Sequence, residues 1–214
     1  MRFKTYSIID ILPMICQVNF RQKKTKNMKM HEILVWLSSL IAFFLYYPLF
    51  RGIIRDEIRQ SFATWALWVS LDAIALFSIM QQKGNFILVG LYTICGTLIT
   101  LTLIFKKQVF WSTFETVVLT LVIGCLVIYS MSGPLWATIS STIALCISGA
   151  PQVRDSYRSP NKTTGVIYYG YAVANSLSLI GGKSWTIEER FYPGMSGLLC
   201  IIIAILASRE KTSK

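Results

Sequence analysis

Long apolar runs separated by short polar connections dominate the chain. Each run is long enough to cross a hydrocarbon core about 30 Å thick as a helix. No ten-residue pattern of strictly alternating polarity recurs, and backbone groups in lipid must be satisfied within the segment, so helices are favoured over a barrel. The pattern therefore predicts an all-α polytopic membrane protein with seven transmembrane helices, near 33–50, 62–80, 86–105, 112–131, 134–152, 164–182 and 191–207.

Composition supports this interpretation and removes an alternative. Of the 214 residues, 54% are hydrophobic and 14% are charged, whereas about 25% charge is usual in soluble domains. The formal net charge of +11 would suggest nucleic-acid binding in a soluble protein. Here the basic residues lie between and outside the apolar runs, which is the pattern of membrane topology, so we expect a lipid bilayer and no nucleic acid as a partner.

The distribution of basic residues predicts the orientation. The connections 51–61, 106–111 and 153–163, together with the C-terminal tail, carry 11 Lys and Arg, against 3 in the other connections. This difference favours a cytoplasmic C-terminus. Residues 1–32 form a basic tail with 7 further Lys and Arg on the poorer side, which weakens the prediction. A translation start at Met28 or Met30 would remove most of that conflict, and we treat residues 1–27 as dispensable or absent on that hypothesis.

An internal repeat organises the seven segments. A shift of 103 residues superimposes similar residues at seven positions: Pro48 on Pro151, Arg51 on Arg154, Arg55 on Arg158, Trp65 on Tyr168, Trp68 on Tyr171, Asp72 on Asn175 and Leu76 on Leu179. The register of the third helix of each half is not fixed by this match. Two parallel three-helix repeats need one extra crossing between them, so we predict a 3+1+3 arrangement. Its parts are a first repeat over 33–105, a linker helix within 106–133, a second repeat over 134–207 and a tail over 208–214.

A short motif links this arrangement to a known family. The stretch from Ala150 to Arg158, APQVRDSYR, resembles the Pro-Gln signature of the PQ-loop and SWEET (MtN3-like) transporter superfamily. The first half offers YPLFR from Tyr47 to Arg51, which keeps the proline and the arginine but not the glutamine. The resemblance covers about 33–207 and implies the 3+1+3 fold. Members carry sugars, amino acids or cystine, and relatives include vitamin transporters and a sorting receptor, so the fold leaves the solute open.

The repeat also brings out candidate binding residues. Two trios share the spacing i, i+3 and i+7 and so occupy one helical face each: Trp65, Trp68 and Asp72, and Tyr168, Tyr171 and Asn175. Ser61 and Thr164 extend the two faces. A carboxylate in mid-membrane costs about 3 kcal/mol or more, so Asp72 should face protein or a wet cavity. We predict a solute site in which the rings pack against the substrate and Asp72 and Asn175 supply hydrogen bonds.

Other interpretations of these residues stay open. Asp72 and Asn175 could simply bond a neighbouring helix, and the aromatic residues could fill space or mark the membrane interface. Asp72 could also bind a proton or a cationic substrate. SWEET transporters carry a pocket asparagine on the third helix of each half, and this chain offers only groups such as Tyr92 and Ser196 there, which puts sugar transport in doubt. Pro48, Pro151 and Gln152 are candidate hinge residues, with ordinary helix termination as the alternative.

The pattern of reactive residues points away from catalysis and cofactors. The five cysteines form no CxxC or Cys/His pair, and no Ser/His/Asp set can be assembled within the bundle. We therefore expect no enzyme, no metal and no cofactor. The sequence predicts a small-solute transporter that works by alternating access, with a non-transporting receptor or assembly protein on the same fold as the alternative. Homo-oligomerisation, the coupling ion and the host membrane are left open.

Overall fold

The computed structural model of the chain describes residues 29–56, 62–107 and 113–209, apart from the side chains of residues 63, 114 and 115. Ser61, most of the basic tail and the end of the C-terminal tail lie outside these ranges. Within the ranges no strand occurs and eight helices follow one another. They are α1 (Met30–Ile54), α2 (Phe62–Gln81), α3 (Ile87–Phe105), α4 (Thr113–Ser132), α5 (Pro134–Ser148), α6 (Ala150–Arg158), α7 (Lys162–Ile180) and α8 (Ile187–Ala207).

The helices fit a multi-pass integral membrane protein. Among the described residues, four helical stretches are long and apolar enough to cross a membrane: Met30–Ile54, Thr64–Gln81, Ile87–Phe105 and Ile187–Ala207. A shorter apolar stretch covers Thr116–Ser132. A helix is present at each of the seven predicted segments, and the all-helical prediction is confirmed.

Two of the differences from the predicted helix boundaries involve prolines. The fifth segment was expected to run unbroken over 134–152, but α5 ends at Ser148, and α6 begins after Gly149 and runs through most of the predicted connection. Pro151 lies in the first turn of α6, where a backbone N–H has no acceptor within the helix, so proline is tolerated there. Because proline has no N–H, it also cannot donate a hydrogen bond that would continue α5. Pro48 lies inside α1, which continues to Ile54. Ordinary helix termination is therefore the wrong interpretation of Pro48.

The helices of the first and second halves of the sequence pack in the same pattern. Helix α3 packs against both α1 and α2, and α8 packs against both α5 and α7. Contacts of α1 with α7 and of α2 with α5 join these two groups. Helix α4 packs against both α2 and α5, beside the contact between those two helices.

Side-chain polarity differs between the outer surface and the interior. Large apolar side chains such as Phe44, Phe77, Ile94 and Val166 are more than half exposed on the outer surface, as expected beside lipid chains. Small hydroxyl residues such as Ser78 and Thr142 are fully buried between helices, and their hydroxyls donate to carbonyls one turn back in their own helix. Small residues of this kind let membrane helices approach closely.

Contacts between helix termini define two ends of the bundle. At the first, which we call the Asn161 end, the Lys106 ammonium lies 2.6 Å from a carboxylate oxygen of Asp56 and donates to the carbonyl of Ile54. This end also holds the α6–α7 connection. At the other, which we call the Arg190 end, Asn85 donates to the Ser178 hydroxyl at 3.1 Å.

Candidate functional site: a closed-ended aromatic cavity

A cavity of about 490 Å³ lies in the centre of the bundle, within the size range of small-molecule sites. Residues from α1, α2, α3, α5, α6, α7 and α8 line it, so both sequence halves contribute. The lining includes seven aromatic rings: Tyr46, Trp65, Trp68, Tyr92, Tyr168, Tyr171 and Tyr192.

The seven rings form one continuous network. Trp65 contacts Trp68 edge to face with centroids 5.5 Å apart, and Tyr46 contacts Tyr171 in the same way at 5.5 Å. Tyr46 also lies 6.4 Å from Trp65. Rings at these separations stabilise one another beyond the area they bury. The network therefore gives the cavity a preformed wall in which one ring limits the rotation of the next.

Asp72 lies at the inner part of this wall and is bonded across the bundle. The Tyr192 hydroxyl, on α8, donates to Oδ1 of Asp72, on α2, over 2.6 Å. Asp72 is only 7% exposed, and it is the only charged residue among the described residues that line the cavity. A hydrogen bond to a charged group is stronger than one between neutral groups, so this contact ties the two helices together.

A second polar pair lies nearby and joins helices α7 and α3. Nδ2 of Asn175, on α7, donates to the hydroxyl of Tyr92, on α3, over 2.9 Å, and also to the Tyr171 carbonyl. Asn175 is fully buried, and its Oδ1 accepts no hydrogen bond. Asn175 thus lies behind the cavity surface, where its amide holds the Tyr92 hydroxyl.

The cavity reaches the bundle surface at the Asn161 end. Its mouth is lined by polar residues of α6 and of the start of α7, namely Gln152, Asn161, Thr163 and Thr164. Asn161 and Thr163 are exposed. The Asn161 side chain accepts from the backbone N–H of Thr163 at 2.9 Å and so caps α7. A polar mouth therefore leads to an aromatic interior.

The Arg190 end is closed by a compact set of polar contacts. The Arg190 guanidinium donates to the carbonyls of Leu179, Gly182 and Ser184, and it stacks over the Trp185 ring at 4.0 Å. A Cβ at Gly84 would overlap the Glu188 carbonyl, so the two connections at this end touch directly. None of these residues is among those that line the cavity.

The structure brings most of the predicted site residues together. Trp65, Trp68, Asp72, Tyr168 and Tyr171 line the cavity, and so does the predicted hinge residue Gln152. Asn175 lies behind the wall, and Pro48 and Pro151 lie outside the lining.

Sequence reasoning missed Tyr46 and Tyr192 altogether, and it noted Tyr92 only as a substitute for an absent asparagine. A signal for two of these was available. Tyr92 and Tyr192 are each the sixth residue of their helix, α3 and α8, but they are offset by 100 positions rather than 103. For Tyr46, which has Tyr47 beside it, nothing in the sequence says which of the two rings faces inward.

Neither a candidate metal site in the described residues nor a similar protein indicates what the cavity binds. Within the described ranges, no group of three His, Cys, Asp or Glu residues lies close enough to hold a metal ion. Comparisons of the chain with protein-family models, with curated proteins and with solved structures found no match. The class of protein is therefore defined by its membrane helices and by the cavity between them.

Proposed function

We propose that the chain is a small-solute membrane transporter of the PQ-loop and SWEET kind, which works by alternating access between two three-helix repeats. The observation that carries the proposal is a cavity in the centre of the bundle that reaches one end and is closed at the other. A binding protein needs a cavity, but a transporter also needs two ends that can open in turn.

The packing order supports a 3+1+3 arrangement. In each proposed repeat the third helix packs against the first two, and α4 lies outside as the linker. The α1–α7 and α2–α5 contacts are then equivalent to each other, as a pseudo-twofold axis along the membrane normal requires. At the α1–α7 contact, Gly170 leaves room for the side chain of Leu45.

The two polar pairs also support the repeat. Asp72 and Asn175 are offset by 103 positions, and their partners Tyr192 and Tyr92 by 100. Each pair therefore joins the second helix of one repeat to the third helix of the other. This pairing proposes a register for the third helices that the sequence match leaves undefined.

The geometry suggests how one transport cycle proceeds. With the predicted orientation the Asn161 end faces the cytoplasm, so the structure corresponds to an inward-facing state. A solute enters past Gln152 and Asn161 and binds between the rings near Asp72. To release it on the other side, the Arg190 contacts must break while the Asn161 end closes. Hydrogen bonds to a charged group contribute about 1.5–3 kcal/mol each, so several such bonds suffice to hold one state until the solute binds.

Transport in liposomes tests the proposal. A thermal-stability screen of sugars, amino acids and vitamins selects solutes that bind, because a ligand of the folded state raises its stability. Each hit is then measured for saturable uptake into proteoliposomes. We expect uptake to fall in Trp68→Leu and to persist in Trp136→Leu, which removes a ring from the exposed outer surface.

The receptor or assembly alternative has one observation in its favour. The hydrogen bonds of Asp72 and Asn175 to tyrosines of other helices hold the bundle together whether or not a solute moves. Saturable binding in the cavity without uptake would favour this alternative. Uptake that depends on Trp68 would exclude it.

A further inference from the structure

The charge and chemistry of the cavity wall define which solute it accepts. We propose that the ligand is a monovalent organic cation, a protonated amine or a quaternary nitrogen, held by the Asp72 carboxylate and the surrounding aromatic rings. The inference names the solute class of the proposed transporter, and so it rests on that function.

Charge is the first argument. Asp72 is the only charged residue among the described residues that line the cavity, and no Lys, Arg or His is found with it there. The hydroxyl of Tyr192 gives the carboxylate a hydrogen bond but no positive charge. A carboxylate in a low-dielectric interior either takes up a proton or needs a counter-charge, and a cationic ligand supplies that counter-charge. An anionic solute would meet repulsion and find no basic partner.

The basic residues near the mouth do not change this balance inside the cavity. Arg154 and Arg158 on α6 are exposed and are not among the lining residues. Charges in water are screened over about 8 Å at physiological ionic strength. They therefore affect the approach of a solute more than its binding beside Asp72.

The rings are the second argument. The face of an aromatic ring attracts a cation, most strongly for Trp and then for Tyr, and the attraction increases where water is excluded. Trp68 and Tyr171 line the cavity, and the buried indole nitrogen and hydroxyl of these two residues have no hydrogen-bond partner. Rings around a single carboxylate thus suit a nitrogen cation carried by apolar or ring carbons.

Neutral sugars fit the same wall less well. A sugar presents hydroxyls on every side and needs several oriented donors and acceptors. The polar side chains without a ring lie mostly at the mouth, at Gln152, Asn161, Thr163 and Thr164, whereas the interior is mainly aromatic. Two of the tyrosine hydroxyls inside are already engaged, since that of Tyr192 donates to Asp72 and that of Tyr92 accepts from Asn175. The interior therefore discriminates by charge and by ring contact.

A matched pair of ligands tests the proposal on the wild-type protein. Choline and neohexyl alcohol have the same shape, but carbon replaces the positive nitrogen in the alcohol. Calorimetric titration of detergent-purified full-length protein should give a dissociation constant for choline at least about tenfold lower, the effect expected of one desolvated cation–π contact. Phenyltrimethylammonium should bind and benzenesulfonate should not. Equal binding of choline and the alcohol, binding of benzenesulfonate, or no binding of either cation would overturn the proposal.

The native Cys200 gives an independent test, because it lines the cavity and is 8% exposed. In a variant that keeps only this cysteine, trimethylammonioethyl methanethiosulfonate should react faster than the sulfonatoethyl reagent. A Ser159→Cys variant without other cysteines, exposed at the same end of the bundle, supplies the reference ratio. We expect the Cys200 ratio to exceed the reference about tenfold or more. A Cys200 ratio no higher than the reference would contradict the proposal.

Replacement of the acid locates the effect. Asp72→Asn keeps an acceptor for Tyr192 but removes the charge, so it should abolish most of the preference for the cationic reagent. Asp155→Asn makes the same change on exposed α6 and should leave the preference unchanged. If Asp72→Asn does not fold, the choline pair and the Cys200 ratio still decide the question.

These experiments test the ligand class separately from the transport function. Selective cation binding without uptake into proteoliposomes would leave the ligand class standing and remove the transport proposal. Uptake of a neutral or anionic solute that depends on Trp68 would leave transport standing and overturn the ligand class.

Discussion

The hydroxyl of Tyr192 donates to the carboxylate of Asp72 over 2.6 Å, and the two residues come from helices α8 and α2, 120 positions apart in the sequence. Both residues line the cavity, Asp72 from the first half of the sequence and Tyr192 from the second. The pair therefore acts both as a structural tie and as the polar part of the proposed site.

Removal of this tie should lower stability. Tyr192→Phe leaves a buried carboxylate without its hydroxyl donor, so we expect the free energy of unfolding to fall by about 1–3 kcal/mol. Tyr47→Phe is the control, because Tyr47 is 65% exposed. Denaturation titrations of both variants in mixed micelles measure the difference. A Tyr192→Phe protein as stable as wild type would show that the bond contributes little.

The Asn175 pair should contribute less. Asn175→Leu removes the donor to the Tyr92 hydroxyl, but it also removes an amide oxygen that accepts no bond. The two effects oppose each other, so we expect a loss of about 1 kcal/mol or less, smaller than for Tyr192→Phe. The same denaturation titration tests the order of the two variants. A larger loss for Asn175→Leu would mean that Asn175 also positions Tyr171 in an essential way.

The turn between α4 and α5 should depend on glycine. Gly133 has φ = 82° and ψ = −176°, a conformation that is essentially restricted to glycine. Gly133→Ala should therefore cost about 1–3 kcal/mol in unfolding free energy. Gly124→Ala is the matched control, since it lies inside α4 with no atom within 4 Å of the added Cβ. That variant should gain up to about 1 kcal/mol from helix propensity. Equal effects would contradict the assignment of strain to the turn.

Opening of the closed end should depend on Arg190. Arg190→Gln cannot reproduce three donated bonds to carbonyls and the stacking on Trp185. We expect an impermeant thiol reagent, added from the side of the Arg190 end, to label Cys200 about fivefold faster or more, a shift of about 1 kcal/mol in the open population. Lys183→Gln removes a cation from the same connection, where Lys183 is exposed, and should change the rate little. Unchanged labelling in Arg190→Gln would show that other contacts keep this end closed.

Much of the cavity could be anticipated because helical spacing is a local property. The i, i+3 and i+7 pattern places Trp65, Trp68 and Asp72 on one face whatever surrounds the helix. The cost of a buried carboxylate then directs that face towards protein or water. All three residues line the cavity as that argument requires.

The errors arose where a choice depended on neighbouring helices. The sequence around Gly149 and Pro151 allows a helix to stop or to restart, and α6 restarts because the chain continues beside α8. Asn175 has the same spacing as Asp72, but it is fully buried behind the wall, where its amide donates to the Tyr92 hydroxyl of α3. Tyr192 was missed because its match to Tyr92 is offset by 100 rather than 103 positions and because its partner Asp72 lies on a distant helix.

The amino-acid order alone was sufficient to establish helices that fit a membrane, approximate helix positions and the polar faces of α2 and α7, because these depend on composition and on the 3.6-residue period. Only the tertiary structure decided which tyrosines complete the cavity and which of its ends is closed. Those features depend on contacts between residues up to 120 positions apart, such as Asp72 and Tyr192, and no local pattern encodes the distance between two helices.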